Sequence, residues 1–440
     1  LILTIDIGSS SLKGALITPA GKIFSYHRIP FSHFFRTREA IHWVSAFKTL
    51  VSLLPDKNIT AVSISGNGPT LVPLNKKDTL TGPVLFWRDN PPIAGIESFF
   101  LPGIIDFRQN RPDQWKETTS FLPTAEFFCW MLTGEKKASS PHTGFNSKMW
   151  AVPELEKHNI DPLLLPPLTD YRLPIGEIGK DAASRWDLPV GIPVFSPGSD
   201  YIASLLGTNT LAHGKVCDRA GSSEGINYCS LTRTNNVKLR SIPHLIPELY
   251  NTAALLFQTG YCFEQFKTSL GYGNTGYNEL MKGIIVRKPD IDDLLFIHNA
   301  PDNEQFHGMK ESYDPLERMT AIVRCIAFAF RQGIELLEKD GLPLKRITIS
   351  GGQAKNRYWN QFKADISGKT LDQPEITDSE LAGCAVLALT GMTRNQTLEQ
   401  TASEIVRTTI SYCPDPEIKK AYTPLYERWL SLTSTTTSSF

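Results

Sequence analysis

Apolar runs in this chain are short, and most end abruptly in small polar residues. Leu1–Ile5 is apolar and β-branched and predicts a strand. Asp6-Ile7-Gly8-Ser9-Ser10-Ser11 breaks the run and Lys13–Ile17 resumes it, which predicts a hairpin with a polar, glycine-containing tip. Such a tip can turn N–H groups and hydroxyls toward a phosphate, while a carboxylate at a strand end can hold Mg²⁺. Taken alone, an ordinary hairpin with a Ser-rich turn explains the stretch equally well. A helix is predicted over Glu39–Leu54 and a buried strand over Ile59–Ile64, which ends in Ser65-Gly66-Asn67-Gly68-Pro69-Thr70. Strand character returns at Leu71–Leu74 and at Val84–Trp87, the latter followed by Arg88-Asp89. Residues 90–125 are Pro-rich and predict an irregular excursion. Ala125–Leu132 predicts a helix stopped by Thr133-Gly134, and residues 150–190 predict short helices between Pro-bounded loops. Pro189–Phe195 predicts a strand, broken by Ser196-Pro-Gly-Ser-Asp200 before a helix begins at Tyr201–Leu206.

The segment Lys215–Tyr228 restates the opening one. Asp6-x-Gly-Ser-Ser and Asp218-x-x-Gly-Ser-Ser each sit between two strand-like runs, half a chain apart. This predicts an internal duplication, with a coincidence of two Ser-rich turns as the alternative. Further on, Met319–Glu338 has the apolar spacing of a helix, with Ile322, Val323, Ile326, Phe330, Ile334 and Leu337 on one face. Arg346–Ser350 predicts a strand, Gly351-Gly352-Gln353-Ala354 a tight turn and Lys355–Ile366 a helix. Strand, double glycine and helix N-terminus together let a nucleotide approach the backbone. Ser379–Leu389 predicts a small-residue helix suited to close packing, and the Ser/Thr-rich tail Thr433–Phe440 predicts disorder.

Composition narrows the classes. The 440 residues suffice for two domains or one large one. Lys+Arg and Asp+Glu balance at 45 each, which argues against nucleic acid or an anionic membrane as partner. No apolar run approaches the ~20 residues of a membrane helix. No secretory leader pattern is read, so a cytoplasmic protein is expected. The sequence starts at Leu1 inside a strand-like run, so an initiator Met is expected to be missing. Seven scattered cysteines without CxxC predict buried reduced thiols, and nine histidines without a ligand spacing give no support to a His-based metal site.

The polar turns near 6–13, 65–70, 87–89, 197–200, 221–225 and 351–356 all follow strand-like runs, the position at which open α/β sheets bind ligands. Asp6-Ile-Gly-Ser-Ser-Ser-Leu-Lys13, Ser63-Ile-Ser-Gly66, Leu132-Thr-Gly-Glu135, Leu188–Val194 leading to Asp200, Gly221-Ser-Ser223 and Gly351-Gly-Gln-Ala-Lys-Asn356 occur in the order found in FGGY carbohydrate kinases. The sequence resembles that family, which includes xylulokinase, gluconokinase and glycerol kinase, up to about residue 395. The resemblance implies an α/β fold of two ribonuclease-H/actin-like domains with the active site in the cleft between them. The expected domains are 1–213, holding sugar, base and first phosphate loop, and 214–440, holding the second phosphate loop and adenosine.

The resemblance further implies ATP and Mg²⁺ as cofactors. Asp6 would bind the metal, Gly8, Ser9, Ser10 and Lys13 would form the first phosphate loop, and Asp200 would be the general base. Gly221, Ser222 and Ser223 would form the second phosphate loop, and Gly351, Gly352, Gln353 and Asn356 would flank adenosine. Asn67, Gly68, Pro69, Trp87, Arg88 and Asp89, with Asp200, fall where the sugar is held. The expected partner is a small sugar or polyol, without nucleic acid or membrane; a homodimer is allowed. Plainer roles stay open: Asp200 as a helix N-cap, Asp6 as an Asx-turn residue, Lys13 as a solvated strand residue, Trp87 as core with Arg88 and Asp89 as a surface pair. The sequence departs from the family at Gly68-Pro69, where many members carry Met-His or Arg-Glu. Ala220-Gly-Ser-Ser223 stands for Leu-Gly-Thr-Ser, and Thr124-Ala125-Glu126 stands where a Lys is frequent. The chain is also shorter than typical members. A non-catalytic sensor of the same fold and an actin- or chaperone-type ATPase are the competing classes.

Overall fold

The computed structural model describes residues 1–436 apart from 32–33, 90–91, 286–288, 291–292, 299, 301–304, 311–312 and 394. The chain divides into two units. The first comprises Leu1–Leu211, Pro243–Glu248 and Asp378–Arg407; the second comprises Ala212–Ile242, Leu249–Thr377 and Thr408–Phe440. The expected single boundary after residue 213 is therefore corrected, because Asp378–Arg407 returns to the first unit. Small residues explain the return. In the helix Ser379–Thr393, a Cβ on Gly383 would lie 1.8 Å from the Ala203 carbonyl oxygen. In the helix Asp200–Gly207, one on Gly207 would lie 1.8 Å from that of Ser379. The two helices meet at backbone distance, which only glycine allows at these two points.

In the first unit, six strands form one sheet in the order Ile23–Pro30, Ser11–Ile17, Ile2–Ile7, Ala61–Gly66, Pro193–Ser199 and Gly176–Glu177. Ile2–Ile7 runs antiparallel to Ser11–Ile17 and parallel to Ala61–Gly66. It is buried along its whole length, Thr4 and Asp6 included, with neighbouring strands on both sides. The helices Ile41–Ser52 and Thr124–Thr133 add Trp43, Phe47 and Phe128 to the same core.

In the second unit, seven strands follow the order Arg240–Pro243, Tyr250–Leu255, Glu224–Ser230, Val216–Ala220, Arg346–Ser350, Thr370–Pro374 and Thr408–Tyr412. Val216–Ala220 pairs antiparallel with Glu224–Ser230 and parallel with Arg346–Ser350. Each unit thus sets the first strand of a hairpin beside a parallel strand from later in the chain, and the predicted duplication is visible in the sheet topology. The long helix Pro315–Lys339 begins in a capping box formed by Asp314 and Glu317, with Pro at its first turn.

Several local expectations are corrected. Val84–Trp87 is not a strand: it makes a single bridge, Leu71 to Leu85, and the Trp87 N–H donates to Thr70 Oγ1. The Pro-rich stretch holds the helices Leu101–Asn110 and Pro112–Glu117 and the strand Ser120–Pro123. Its prolines start helices because the first helical turn needs no N–H from them. The strand expected over Pro189–Phe195 spans Pro193–Ser199, with a bulge between Phe195 and Gly198 where Pro197 has no N–H to pair. The tail expected to be disordered continues the helix Pro416–Thr436, and residues 437–440 lie outside the described residues. All seven cysteines are free and only Cys413 is exposed. No described helix is long and apolar enough to cross a membrane.

Candidate functional site

In the first unit, the hairpin tip follows from Gly8, whose N–H closes the turn onto the Ser11 carbonyl at 3.0 Å. Asp6 is not a turn residue. It lies within the strand, opposite Lys13 on one side and Ser65 on the other. Ser65 Oγ donates to Asp6 Oδ1 at 2.9 Å, and Lys13 Nζ stands 3.9 Å from Asp6 Oδ2 and 2.9 Å from Asp378 Oδ1. Lys13 is therefore paired rather than solvated. Burial, then the neighbouring Glu380 carboxylate, push the Asp6 carboxyl up to about 7, with Asp200 acting in the same sense and Lys13 and Ser65 against it. Burial works to lower the pKa of Lys13, but Glu380, Asp6 and Asp378 outweigh it and hold the ammonium charged.

The helix carrying Asp200 is capped by Ser199, whose Oγ accepts the Ile202 N–H at 3.4 Å. Asp200 is the first helical residue rather than the cap, and its carboxylate is favoured there by the helix dipole. Asp200 Oδ1 accepts the Gly68 N–H at 3.4 Å. Beneath it, Ser196 Oγ accepts the Gly198 N–H and donates to Glu126 Oε1, both at 2.9 Å, which fixes the bulged strand end. Glu126 is buried, and burial raises its pKa.

The 66–70 turn is tied to the phosphate-loop candidate. Asn67 Nδ2 donates to the Gly8 carbonyl at 3.0 Å, and Trp87 Nε1 donates to Ser9 Oγ at 3.1 Å. Gly68, at φ +40°, lies against Trp87, whose Cβ would be 3.2 Å from a Cβ added there. A larger side chain at this position would meet the indole. Asp89 makes a two-point ion pair with Arg38, at 2.9 and 3.1 Å, and Arg88 lies over the Trp87 ring. Gly8, Ser9, Asn67, Gly68, Trp87 and Asp200 are thus tied together at the hairpin tip and the 66–70 turn, and the Asp6–Lys13 pair stands on the same hairpin with Asp200 acting on the Asp6 carboxyl. Arg88 and Asp89 stand at the exposed edge of this group, and Ser10 and Pro69 accompany it in sequence only.

In the second unit, Gly221, Ser222 and Ser223 are exposed at the hairpin tip. The Tyr261 N–H donates to the Ser222 carbonyl at 3.1 Å. A Cβ on Gly351, at φ +88°, would lie 2.4 Å from the Ala220 carbonyl oxygen, so the double-glycine turn packs directly on the loop. A Cβ on Gly352 would meet nothing within 4 Å. Gln353 Nε2 donates to Thr259 Oγ1 at 2.9 Å and to the Gly221 carbonyl at 3.4 Å, while its Oε1 accepts from Trp359 Nε1 at 2.8 Å. Asn356 Oδ1 accepts the N–H groups of Tyr358 and Trp359 and caps the helix Arg357–Ser367.

Residues beyond the predicted set also stand here. Asp378 and Glu380 flank the start of their helix beside Lys13. In the second unit, Lys363 Nζ donates to Asp218 Oδ2 at 2.5 Å and to Glu224 Oε1 at 2.6 Å. Lys363 had a sequence signal: it falls on the face of its helix that also carries Trp359, Phe362 and Ile366, all buried.

Residues 275–392 match the C-terminal domain of the FGGY family of carbohydrate kinases. The chain is 22% identical to a xylulose kinase of Lactococcus lactis, over 97% of this chain and 95% of that protein. It is 22% identical to an autoinducer-2 kinase of Salmonella paratyphi B, over 75% of this chain and 68% of that protein. Its fold is similar to that of the xylulose kinase from Rhodospirillum rubrum, with a TM-score of 0.78 at 19% identity and 99% of both chains covered. Residues 275–392 thus carry the C-terminal domain of FGGY carbohydrate kinases, and the chain as a whole is similar to kinases of that kind in its two-unit α/β fold and along nearly its full length.

Proposed function

We propose that this protein transfers the γ-phosphoryl group of ATP to a hydroxyl of a small carbohydrate, either a ketose such as a pentulose or a polyol or aldonate. The observation that carries this reading is the Asp200 carboxylate. Ser199 does the capping, and Asp200 is hydrogen-bonded to the Gly68 turn, which packs on Trp87, while its charge acts on the Asp6 carboxyl. A sugar hydroxyl is a poor nucleophile until its proton has an acceptor. Asp200 takes that proton as the oxygen attacks γ-phosphorus and the bond to the ADP oxygen breaks, a contribution worth roughly 10²–10⁴ in rate. Lys13, held charged by its carboxylate neighbours, offsets charge on the transferring group.

Asp6 suits a Mg²⁺ ligand. A buried carboxyl pushed up to about 7 by burial and by Glu380 is a group that a cation would stabilise in its charged form. Among the described residues no three metal-type side chains converge. That accords with Mg²⁺ bound through one or two carboxylates, with phosphate and water as its other ligands. Bound with ATP, the ion would neutralise charge on the β- and γ-phosphates. Gly8, Ser9 and Ser10 would hold the first phosphate loop's share, Gly221, Ser222 and Ser223 the second, and Gly351, Gly352, Gln353 and Asn356 the adenosine. The exposed hydroxyls of Ser222 and Ser223 and the open space above Gly352 support the last two assignments.

The test is ADP release across pentuloses, hexuloses, polyols, aldonates and autoinducer-2, the last because one relative is an autoinducer-2 kinase. At least one acceptor should stimulate release many-fold. ADP binding without stimulation by any acceptor would favour a sensor, and acceptor-independent hydrolysis an ATPase.

A further inference from the structure

The second phosphate loop rests on a buried group of charges that the mechanism above does not use. Lys363 is 2% exposed, Asp218 1% and Glu224 fully buried in their side chains, and the ammonium reaches both carboxylates. It also lies 4.0 Å from the centre of the Phe330 ring. Ion groups buried this deeply are expensive to desolvate, and apolar residues of the same volume frequently serve stability as well or better. Stability alone therefore gives a weak reason for this triad.

Its connections point elsewhere. Asp218 and Glu224 stand on the two strands of the hairpin and bracket the loop 221–223. The second oxygen of Glu224 accepts from Thr259 Oγ1 at 2.6 Å. Thr259 Oγ1 in turn accepts from Gln353 Nε2, which also reaches the Gly221 carbonyl. The next residue, Gly260, packs so closely that a Cβ there would lie 2.0 Å from the Gly221 carbonyl oxygen. The route Lys363–Glu224–Thr259–Gln353 thus fixes the loop and the double-glycine turn to one another from below. It also manages charge. Lys363 offsets one of the two carboxylates. Burial raises the Asp218 pKa to about 7 against the pull of Lys363, which reduces the negative charge left under the loop.

We propose that Lys363, Glu224 and Thr259 are positioning residues for the nucleotide: they set the second phosphate loop and the Gln353 turn in register and keep uncompensated negative charge away from the bound phosphates. This rests on the nucleotide reading given above. None of the three is a catalytic residue; each acts through loop 221–223 or Gln353.

The test is the Kd for Mg·ADP, measured by calorimetry on the purified full-length chain, with thermal denaturation alongside. Lys363→Met leaves two buried carboxylates under the loop and should weaken Mg·ADP at least 10-fold. Thr259→Val keeps the shape, cuts the relay and is the milder variant for folding; it should weaken Mg·ADP by about 3-fold to 10-fold. The control is Arg331→Met, in the same unit and also buried, whose hydrogen bonds go to Glu335 and Thr423. It should lower the melting temperature and leave the Kd unchanged. A folded Thr259→Val protein with the parent Kd overturns the proposal, as does an equal loss of affinity in Arg331→Met. A parent chain that does not bind Mg·ADP removes the nucleotide reading itself, an outcome distinct from loss of sensitivity in the variants.

Discussion

Asp6 and Asp218 hold matching places in two matching hairpins, and their surroundings differ in where the counter-charge comes from. Asp6 finds its cation across its own hairpin, in Lys13, which is 21% exposed and shared with Asp378. Opposite Asp218 stands Ile226, and the cation comes instead from Lys363, 145 residues away on a helix. The first carboxylate sits among other carboxylates with a partner loosely held at 3.9 Å; the second is locked at 2.5 Å with its partner almost wholly buried. A repeated scaffold need not repeat its chemistry. Both aspartates are buried, but on the proposed reading the first serves the metal ion while the second supports the loop above it.

The largest expected effect separates the two aspartates directly. Asp6→Asn should reduce acceptor-dependent turnover on the order of 10³-fold, the several kcal/mol that charge neutralisation at a phosphoryl group supplies. Asp218→Asn leaves Lys363 paired with Glu224 and should change turnover only a few-fold. Equal losses in initial-rate assays would erase the distinction. Next in size is Lys363→Met, which strands two buried carboxylates and should cost about 3–5 kcal/mol in chemical denaturation. A loss below about 1 kcal/mol would mean that the triad is not buried as described.

The smallest effect is in pH dependence. Asp218 has its folded pKa near 7, above the usual 3.8, chiefly through burial. Between about pH 4 and 7 the folded chain therefore keeps a proton that the unfolded chain has lost. Stability falls as pH rises through that window, by at most about 1.4 kcal/mol per unit, and Asp218→Asn should flatten the fall. The raised pKa of Lys363 adds no slope there, since its own titration lies above pH 10. Denaturation midpoints at pH 5 and pH 7.5, parent against variant, measure this; an unchanged difference would contradict it.

Both hairpins were legible because their signal is local: apolar strands around a Gly-Ser tip. The helix at Pro315–Lys339 was legible from its spacing, and the turn at Gly351–Gly352 from glycines that the close approach to Ala220 requires. What sequence reasoning missed is long-range. Nothing near Lys363 announces Asp218 or Glu224, although a lysine on an apolar helix face was a hint that it had a buried partner. The return of Asp378–Arg407 to the first unit depends on Gly207 and Gly383, 176 residues apart in the sequence, finding each other. The role of Ser199 as cap, which leaves Asp200 in the first helical turn, depends on a strand running past the prolines that the pattern read as its end. Helices in the Pro-rich stretch were hidden because proline marks both loops and helix starts.

On the proposed mechanism Asp200 accepts the proton of a carbohydrate hydroxyl during phosphoryl transfer. The most direct measurement pairs ADP release with Mg·ADP affinity in Asp200→Asn, using whichever acceptor the panel identifies. Turnover should fall about 10²-fold to 10⁴-fold while the Mg·ADP Kd stays within about 2-fold of the parent value. Acceptor-dependent turnover at the parent rate would contradict it.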